Sequence, residues 1–205
     1  MKRSSPQRKD SAPEGNGAHQ HGPHCNHDHE HGHAGCIAQV RLYESADYKA
    51  LKEIWKSGNI ELDETDTPEA IAKNLRTRPK GYCIFVIGTQ MVDAHGEPEG
   101  KPRVAGGATL TFDGRRAYIY HFAIHPEFRG LGLGRALLDT CEKQAERWGA
   151  TQLRLTARSD GSRAVAQKLY DSAGWKPSKD LWVYAKSLKT AGSPLKKARA
   201  AKVRN

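Results

Sequence analysis

The pattern of hydrophobic and polar positions changes at Ile37. Before it, residues 1–36 run through Ser, Pro, Gly, Asn and His with almost no large apolar side chain. Such a stretch cannot bury enough surface to offset the entropy of ordering, so it reads as a disordered tail. Residues 37–42 alternate like a strand with one buried face. Ser45 or Asp47 can then cap a helix whose Tyr48, Leu51, Ile54 and Trp55 share one side, with Gly58 at its end. Thr67-Pro68-Glu69 combines a cap, a proline at the first helical position and an early acid. Ala70, Ile71, Asn74 and Leu75 continue that second helix, and Pro79 closes the segment.

A wholly apolar run from Tyr82 to Ile87 predicts a short buried strand, and 93–102 a loop. A strand over 104–112, weakened by Gly106 and Gly107, turns at Asp113-Gly114 into another over 118–124. The clearest helix covers 133–149: Leu133, Leu137, Leu138, Cys141, Ala145 and Trp148 recur at helical spacing, charges lie opposite, and Gly149 ends it. A strand over 152–156 follows, then a helix over 162–173 with Val165, Ala166, Leu169 and Tyr170 inward, and a last strand over 181–185. The alternation predicts an α/β (α+β) domain: a mixed sheet with helices on its faces.

Composition adjusts this picture at the ends of the chain. The 205 residues carry a formal net charge of +10, and only 37% are hydrophobic. The first 36 residues are charge-balanced, whereas 186–205 hold seven basic and no acidic residues, leaving +3 for 37–185. The basic excess therefore belongs to the C-terminal tail, read as disordered over 189–205. It could make a weak, unspecific contact with nucleic acid or a ribosome. No window approaches the ~18 apolar residues of a membrane span, and Met1 to Pro6 lead into no apolar signal core. Four cysteines without a tight framework suggest reduced thiols, and a cytoplasmic location is expected (nuclear, through the basic ends, if the source is eukaryotic). Cys83 and Cys141 sit at core positions and read as packing residues.

Two clusters carry candidate chemistry. His19, His21, His24, His27, His29, His31 and His33 crowd together with Cys25 and Cys36. Imidazole and thiolate suit Zn or Ni ions, but the spacing matches no closed structural zinc site, so a flexible chelator or an unselected tract are the two readings. The second cluster is the stretch from His121 to Arg135. There a strand enters a loop with Gly130, Gly132 and Gly134 and continues directly into a helix. Close-approaching backbone, free N–H groups and a positive dipole end make an anion site, with Arg129 and Arg135 adding charge. The spacing is neither the dinucleotide Gly-x-Gly-x-x-Gly, since Arg135 stands at the third glycine position, nor a Walker A loop.

The stretch does fit Arg-x-x-Gly-x-Gly, as Arg129, Gly132 and Gly134, preceded by His125-Pro126-Glu127-Phe128. Together with Ala166 to Leu169, Tyr170, Gly174 and Trp175, in the right order and separation, it resembles the GNAT superfamily of N-acetyltransferases over roughly 37–188. The resemblance implies a mostly antiparallel sheet with strands splayed at a coenzyme A site, and direct transfer of acetyl from acetyl-CoA to a primary amine. It implies that Phe122, Ala123 and Ile124 face the pantetheine arm, that Arg129, Gly130, Leu131, Gly132, Leu133, Gly134 and Arg135 hold the pyrophosphate, and that Tyr170 protonates the leaving thiolate.

The sequence departs from the family pattern at the base position, where Tyr120 and His121 stand in place of the usual carboxylate, and at Arg163, in place of an Asn that contacts pantetheine. His121 could accept a proton or be an ordinary sheet residue, and Tyr120 could only orient a water. Arg163 could reach a phosphate instead. The acceptor, a small molecule or a peptide amine, is not named by the fold. The acidic run Glu61, Asp63, Glu64 and Asp66 could draw in a cationic amine or be a solvated loop. A non-catalytic scaffold bearing a metal-binding tail is the alternative function, and a monomer or a homodimer are both compatible.

Overall fold

The computed structural model describes residues 35–93, 95–157, 163–178, 183, 184 and 186. Among the described residues twelve elements follow in order, three of them single 3-10 turns and nine of them helices or strands. They are β1 (Gly35–Leu42), α1 (Tyr48–Ser57), α2 (Pro68–Thr77), β2 (Tyr82–Val92), β3 (Pro98–Phe112), β4 (Ala117–Ile124), α3 (Leu133–Arg147), β5 (Leu153–Leu155) and α4 (Arg163–Ser172). The strands lie in the order β1-β2-β3-β4-β5. The first four pair antiparallel, and β5 pairs parallel with β4, so the sheet is mixed and mostly antiparallel, as expected.

The caps read from the sequence act in part. Thr67 accepts the Ala70 N–H at 3.2 Å and starts α2, with Pro68 at the first helical position. Asp47 stands at the start of α1 but does not cap it. Its carboxylate is buried, with Arg41 donating to both oxygens at 2.7 Å and Glu44 N–H to Oδ2 at 2.8 Å. Burial alone would raise the Asp47 pKa, but these hydrogen bonds and the Arg41 charge outweigh it and hold the pKa below the usual value. A depressed carboxylate contributes stability above its unfolded pKa and loses it as pH falls through the folded value. Asp47→Asn is therefore expected to lower stability at neutral pH by about 2 kcal/mol, discounted for the part-exposed Arg41. Urea unfolding of the variant and the wild type should converge below about pH 3; an equal gap at pH 7 and pH 3 would contradict this.

Apolar residues fill both faces of the sheet. Against α3 and α4 lie Cys83, Phe85, Leu110, Ala117 and Ile119, with Leu137, Leu138 and Cys141 opposite. Against α1 and α2 lie Ile84, Val86 and Ala123, with Leu51, Ile54, Trp55 and Ile71 opposite. Burial pushes the Cys83 and Cys141 thiols up to about 12, so both are neutral packing groups, as the sequence indicates.

Three expectations are corrected. The loop expected over 93–102 is shorter, because Pro98 and Glu99 pair with Val92 and Met91, and the β2–β3 hairpin runs on as an exposed ribbon. Its Gly, Pro and charged residues hide the strand because neither face is buried there. Cys36 and Gly35 already belong to β1, so the strand starts two residues before Ile37. Val165 is 71% exposed and points away from the core that holds Leu169 and Tyr170. The strand expected over 181–185 lies outside the described residues apart from Val183 and Tyr184.

Candidate active site

Strand β4 is the spine of the site. It pairs with β5 only from Ala117 to Ile119, so its last five residues have no β5 neighbour among the described residues. On its β3 side, Tyr120 pairs with Thr109 and Ala123 with Gly107, which leaves two β4 residues opposite one on β3. This is a bulge, and His121 occupies it at φ 51°. A left-handed residue other than glycine costs about 1 kcal/mol. Here the fully buried Trp55 offsets the strain: its Nε1–H donates to the His121 carbonyl at 3.1 Å, and its ring lies 5.1 Å from the imidazole.

The bulge shifts the side-chain alternation by one. Ala117 and Ile119 face α3, but beyond the bulge it is Phe122 and Ile124 that pack on that face, while Ala123 turns to α1. Gly106 and Gly107 pair with Ile124 and Ala123 just past the bulge. A Cβ at Gly106 would lie 2.4 Å from Ile124 Cδ1, and one at Gly107 would lie 2.5 Å from Leu51 Cδ2. Trp55→Phe keeps the packing but orphans the buried His121 carbonyl; a loss of about 1–3 kcal/mol is expected in urea unfolding, with unchanged slope. A loss below 0.5 kcal/mol would show that the indole N–H does not hold the bulge.

After β4, His125 caps a 3-10 turn over Pro126–Phe128, its ring accepting the Glu127 N–H at 3.4 Å. The chain then reaches the glycine loop. Gly130 and Gly132 adopt φ 83° and 76°, and Gly132 is the N-cap of α3 with no side-chain cap. The last bond before the loop runs from Arg129 N–H to the Pro126 carbonyl. The first after it run from Arg135 and Ala136 N–H to the Gly132 carbonyl. The N–H groups between them make no backbone hydrogen bond among the described residues, and they stand at the positive end of a 15-residue helix. Nothing lies within 4 Å of where a Cβ would stand on Gly130 or Gly132, so a ligand can reach the backbone there. Gly134 has another role: a Cβ on it would meet Leu169 Cδ2 at 3.2 Å and Ile124 Cγ1 at 3.7 Å, which locks α3, α4 and β4 together.

Both arginines also bond within the protein. Arg129 Nε donates to the Ile124 carbonyl at 3.0 Å, tying the loop to the end of β4. Arg135 binds Asp139 at 2.6 Å and the Ser172 carbonyl at 3.1 Å, so it joins α3 to the end of α4.

On the α3/α4 face, Tyr170 packs 6.3 Å from the Phe122 ring and 5.9 Å from Trp175, whose Nε1–H donates to Glu142 at 2.5 Å. Burial raises the Tyr170 pKa. Tyr120 is 48% exposed and stacks 4.5 Å from Tyr118; its pKa is raised by burial and by Tyr118. On the α1/α2 face, His121 Nε2 stands 3.6 Å from Asp66 Oδ1. Asp66 is buried, so this member of the acidic run turns inward, while Glu61, Asp63 and Glu64 are exposed. Arg163 opens α4, and the phosphate contact expected of its side chain lies outside the described side chains.

Sequence reasoning missed Asp66 and Trp55. Asp63-x-x-Asp66 signals a capped turn, and the turn is there: Asp66 Oδ2 accepts the Asp63 N–H at 2.9 Å. That its second oxygen meets β4 depends on tertiary packing alone. Of the proposed metal ligands, only Cys36 falls among the described residues, paired with Met91 across β1 and β2. Among those residues no group of three or more His, Cys, Asp or Glu could hold a metal ion, and no helix is long and apolar enough to cross a membrane.

Known proteins agree with this architecture. An acetyltransferase of Pectobacterium atrosepticum is 26% identical over 127 residues, 62% of this chain and 81% of its own length. One of Yersinia enterocolitica is 23% identical over the same shares. Among solved structures, glucosamine-6-phosphate N-acetyltransferase from Arabidopsis thaliana superposes with a TM-score of 0.53 at 15% identity, covering 74% of this chain and 99% of that one. The aminoglycoside N-acetyltransferase AAC(6')-Iy, bound to a bisubstrate analogue, gives 0.55 at 11%, with 74% and 99% covered. At such identities the two structures speak for the fold. The acetyltransferase (GNAT) family pattern itself matches residues 48–175, more than half of the chain, and carries the assignment: this chain belongs to the acetyltransferase (GNAT) family.

Proposed function

We propose that this protein is an acetyl-CoA-dependent N-acetyltransferase that acts by direct transfer to a primary amine. The observation that carries the reading is the meeting of an open backbone cradle, Gly130 to Gly134, with a strand end that runs on past its last β5 partner at Ile119. The residues fit the ligand. A pyrophosphate needs several convergent N–H donors and no side chain in the way, and the loop offers both. A pantetheine arm needs a strand with a free edge, and Phe122, Ala123 and Ile124 lie where β4 has no β5 partner among the described residues. When bound there, acetyl-CoA supplies an activated thioester.

The chain's own groups then handle protons from opposite faces of the sheet. His121, on the α1/α2 face, takes one proton from the acceptor ammonium and passes it to solvent. The freed amine attacks the thioester carbonyl. Tyr170, on the α3/α4 face, donates its phenolic proton to the departing sulfur, and the second proton shed by the new amide nitrogen restores the phenol. A raised Tyr170 pKa keeps this acid protonated through the neutral range, which suits its task. The shelter of Phe122 and Trp175 keeps it away from bulk water. The acceptor is a small molecule or a peptide carrying a primary amine, approaching past the exposed Glu61, Asp63 and Glu64.

The test is release of free thiol from acetyl-CoA in the presence of a panel of primary amines, amino acids, polyamines and N-terminal peptides. Thiol release that depends on an amine, with acetyl recovered on its nitrogen by mass spectrometry, is expected. Release equal with and without every amine would reject the assignment.

A further inference from the structure

Outside the glycine loop, the most unusual arrangement in the molecule is the buried carboxylate held against the bulge. We infer that Asp66 is a positioning residue that fixes the His121 imidazole with its proton on Nε2 and its lone pair on Nδ1, leaving Nδ1 as the atom that accepts the acceptor's proton. The inference rests on the reading of His121 as the base.

Three observations converge on it. Asp66 is 8% exposed, so its charge is not spent on solvent. Its two oxygens have separate duties: Oδ2 accepts the Asp63 N–H at 2.9 Å, and Oδ1 faces His121 Nε2 at 3.6 Å. The histidine cannot swing away easily. Its backbone is locked in the left-handed bulge by Trp55, and the Trp55 ring lies against the imidazole. A carboxylate can only accept, so the imidazole nitrogen that faces it carries the proton. The separation is an ion-pair distance, of the kind catalytic pairs often show in the absence of substrate.

The surroundings of the pair are mixed in charge. Asp63, on the same connection, lies near enough to feel His121. Tyr82 borders Asp66, and burial pushes its hydroxyl up to about 12, so it is neutral. Arg78 acts on Tyr82 and on Tyr120 from the end of α2. From α1 only the neutral Trp55 reaches the ring.

Substituting Asp66→Asn makes the idea testable, because the turn dictates which way the new amide points. The Asp63 N–H needs an oxygen, so the amide oxygen stays there and the NH2 group turns to His121. The facing nitrogen must then accept, and the imidazole proton moves to Nδ1, where it blocks the proposed base. In long-range 1H–15N spectra of the full chain, with His121 assigned from the His121→Gln variant, the wild type is expected to show the Nε2–H tautomer and Asp66→Asn the Nδ1–H tautomer. With an amine the wild type acetylates, Asp66→Asn should lower kcat about 10²-fold, while calorimetry finds acetyl-CoA affinity unchanged.

An Nδ1–H tautomer in the wild type, or the same tautomer in both proteins, overturns the inference. The wild-type spectrum decides by itself should the variant fail to fold. His121→Gln retaining full kcat would instead reject His121 as the base, a failure distinct from an unaltered tautomer in a protein that His121→Gln disables.

Discussion

Tyr170→Phe is expected to lower kcat by about 10²-fold or more, because general acid catalysis by a positioned side chain contributes on that order. The phenylalanine ring preserves the packing against Phe122 and Trp175, so acetyl-CoA affinity and thermal stability should stay within error of the wild type. The pH profile gives a second handle. Burial raises the Tyr170 pKa, so the acid form persists to higher pH than an exposed tyrosine allows and is lost only as pH rises through that raised value. The alkaline limb of the wild-type kcat profile should therefore lie above pH 10 and be missing from the variant. Thiol-release kinetics between pH 6 and 11 would check both points. A variant with wild-type kcat would return Tyr170 to the status of a core residue.

Gly132→Glu should weaken acetyl-CoA binding at least 10²-fold. Gly132 sits at φ 76°, where any L side chain is strained by about 1–2 kcal/mol. The carboxylate would also place negative charge beside open N–H groups that face a pyrophosphate. Each 1.4 kcal/mol is a factor of about ten in affinity, so the two effects together reach the stated loss. The space around the position is empty, so the fold should survive. Gly132→Ala isolates the backbone strain and should cost about tenfold. Calorimetric titration of both variants, with melting curves alongside, would separate lost binding from lost structure. Equal affinity of Gly132→Glu and wild type would remove the phosphate reading of the loop.

The parts of this molecule legible in its sequence are those governed by local rules. Thr67 and Pro68 announce α2, the 3.6-residue recurrence from Leu133 to Ala145 announces α3, and the glycines at 130, 132 and 134 announce an anion loop. The parts that escape depend on contacts distant in sequence. Regular alternation through β4 puts residues 117, 119, 121 and 123 on one face. The bulge at His121 breaks that rule, and its cause is Trp55, 66 residues away. The bond from Arg135 to the Ser172 carbonyl, 37 residues on, likewise leaves no local trace. Asp66 reads as one of several loop acids because nothing in its neighbourhood says that this one turns inward. Val165 misleads by its spacing: it lies one turn before Leu169, yet it is 71% exposed while Leu169 packs on the core.

The most direct measurement of the central claim is a calorimetric titration of the full 205-residue chain, free of added metal, with acetyl-CoA. One site with a Kd between about 1 µM and 1 mM, the range of ordinary enzyme substrates, is the predicted result. No heat of binding up to several millimolar ligand, from a sample shown to be folded by its melting curve, would contradict it.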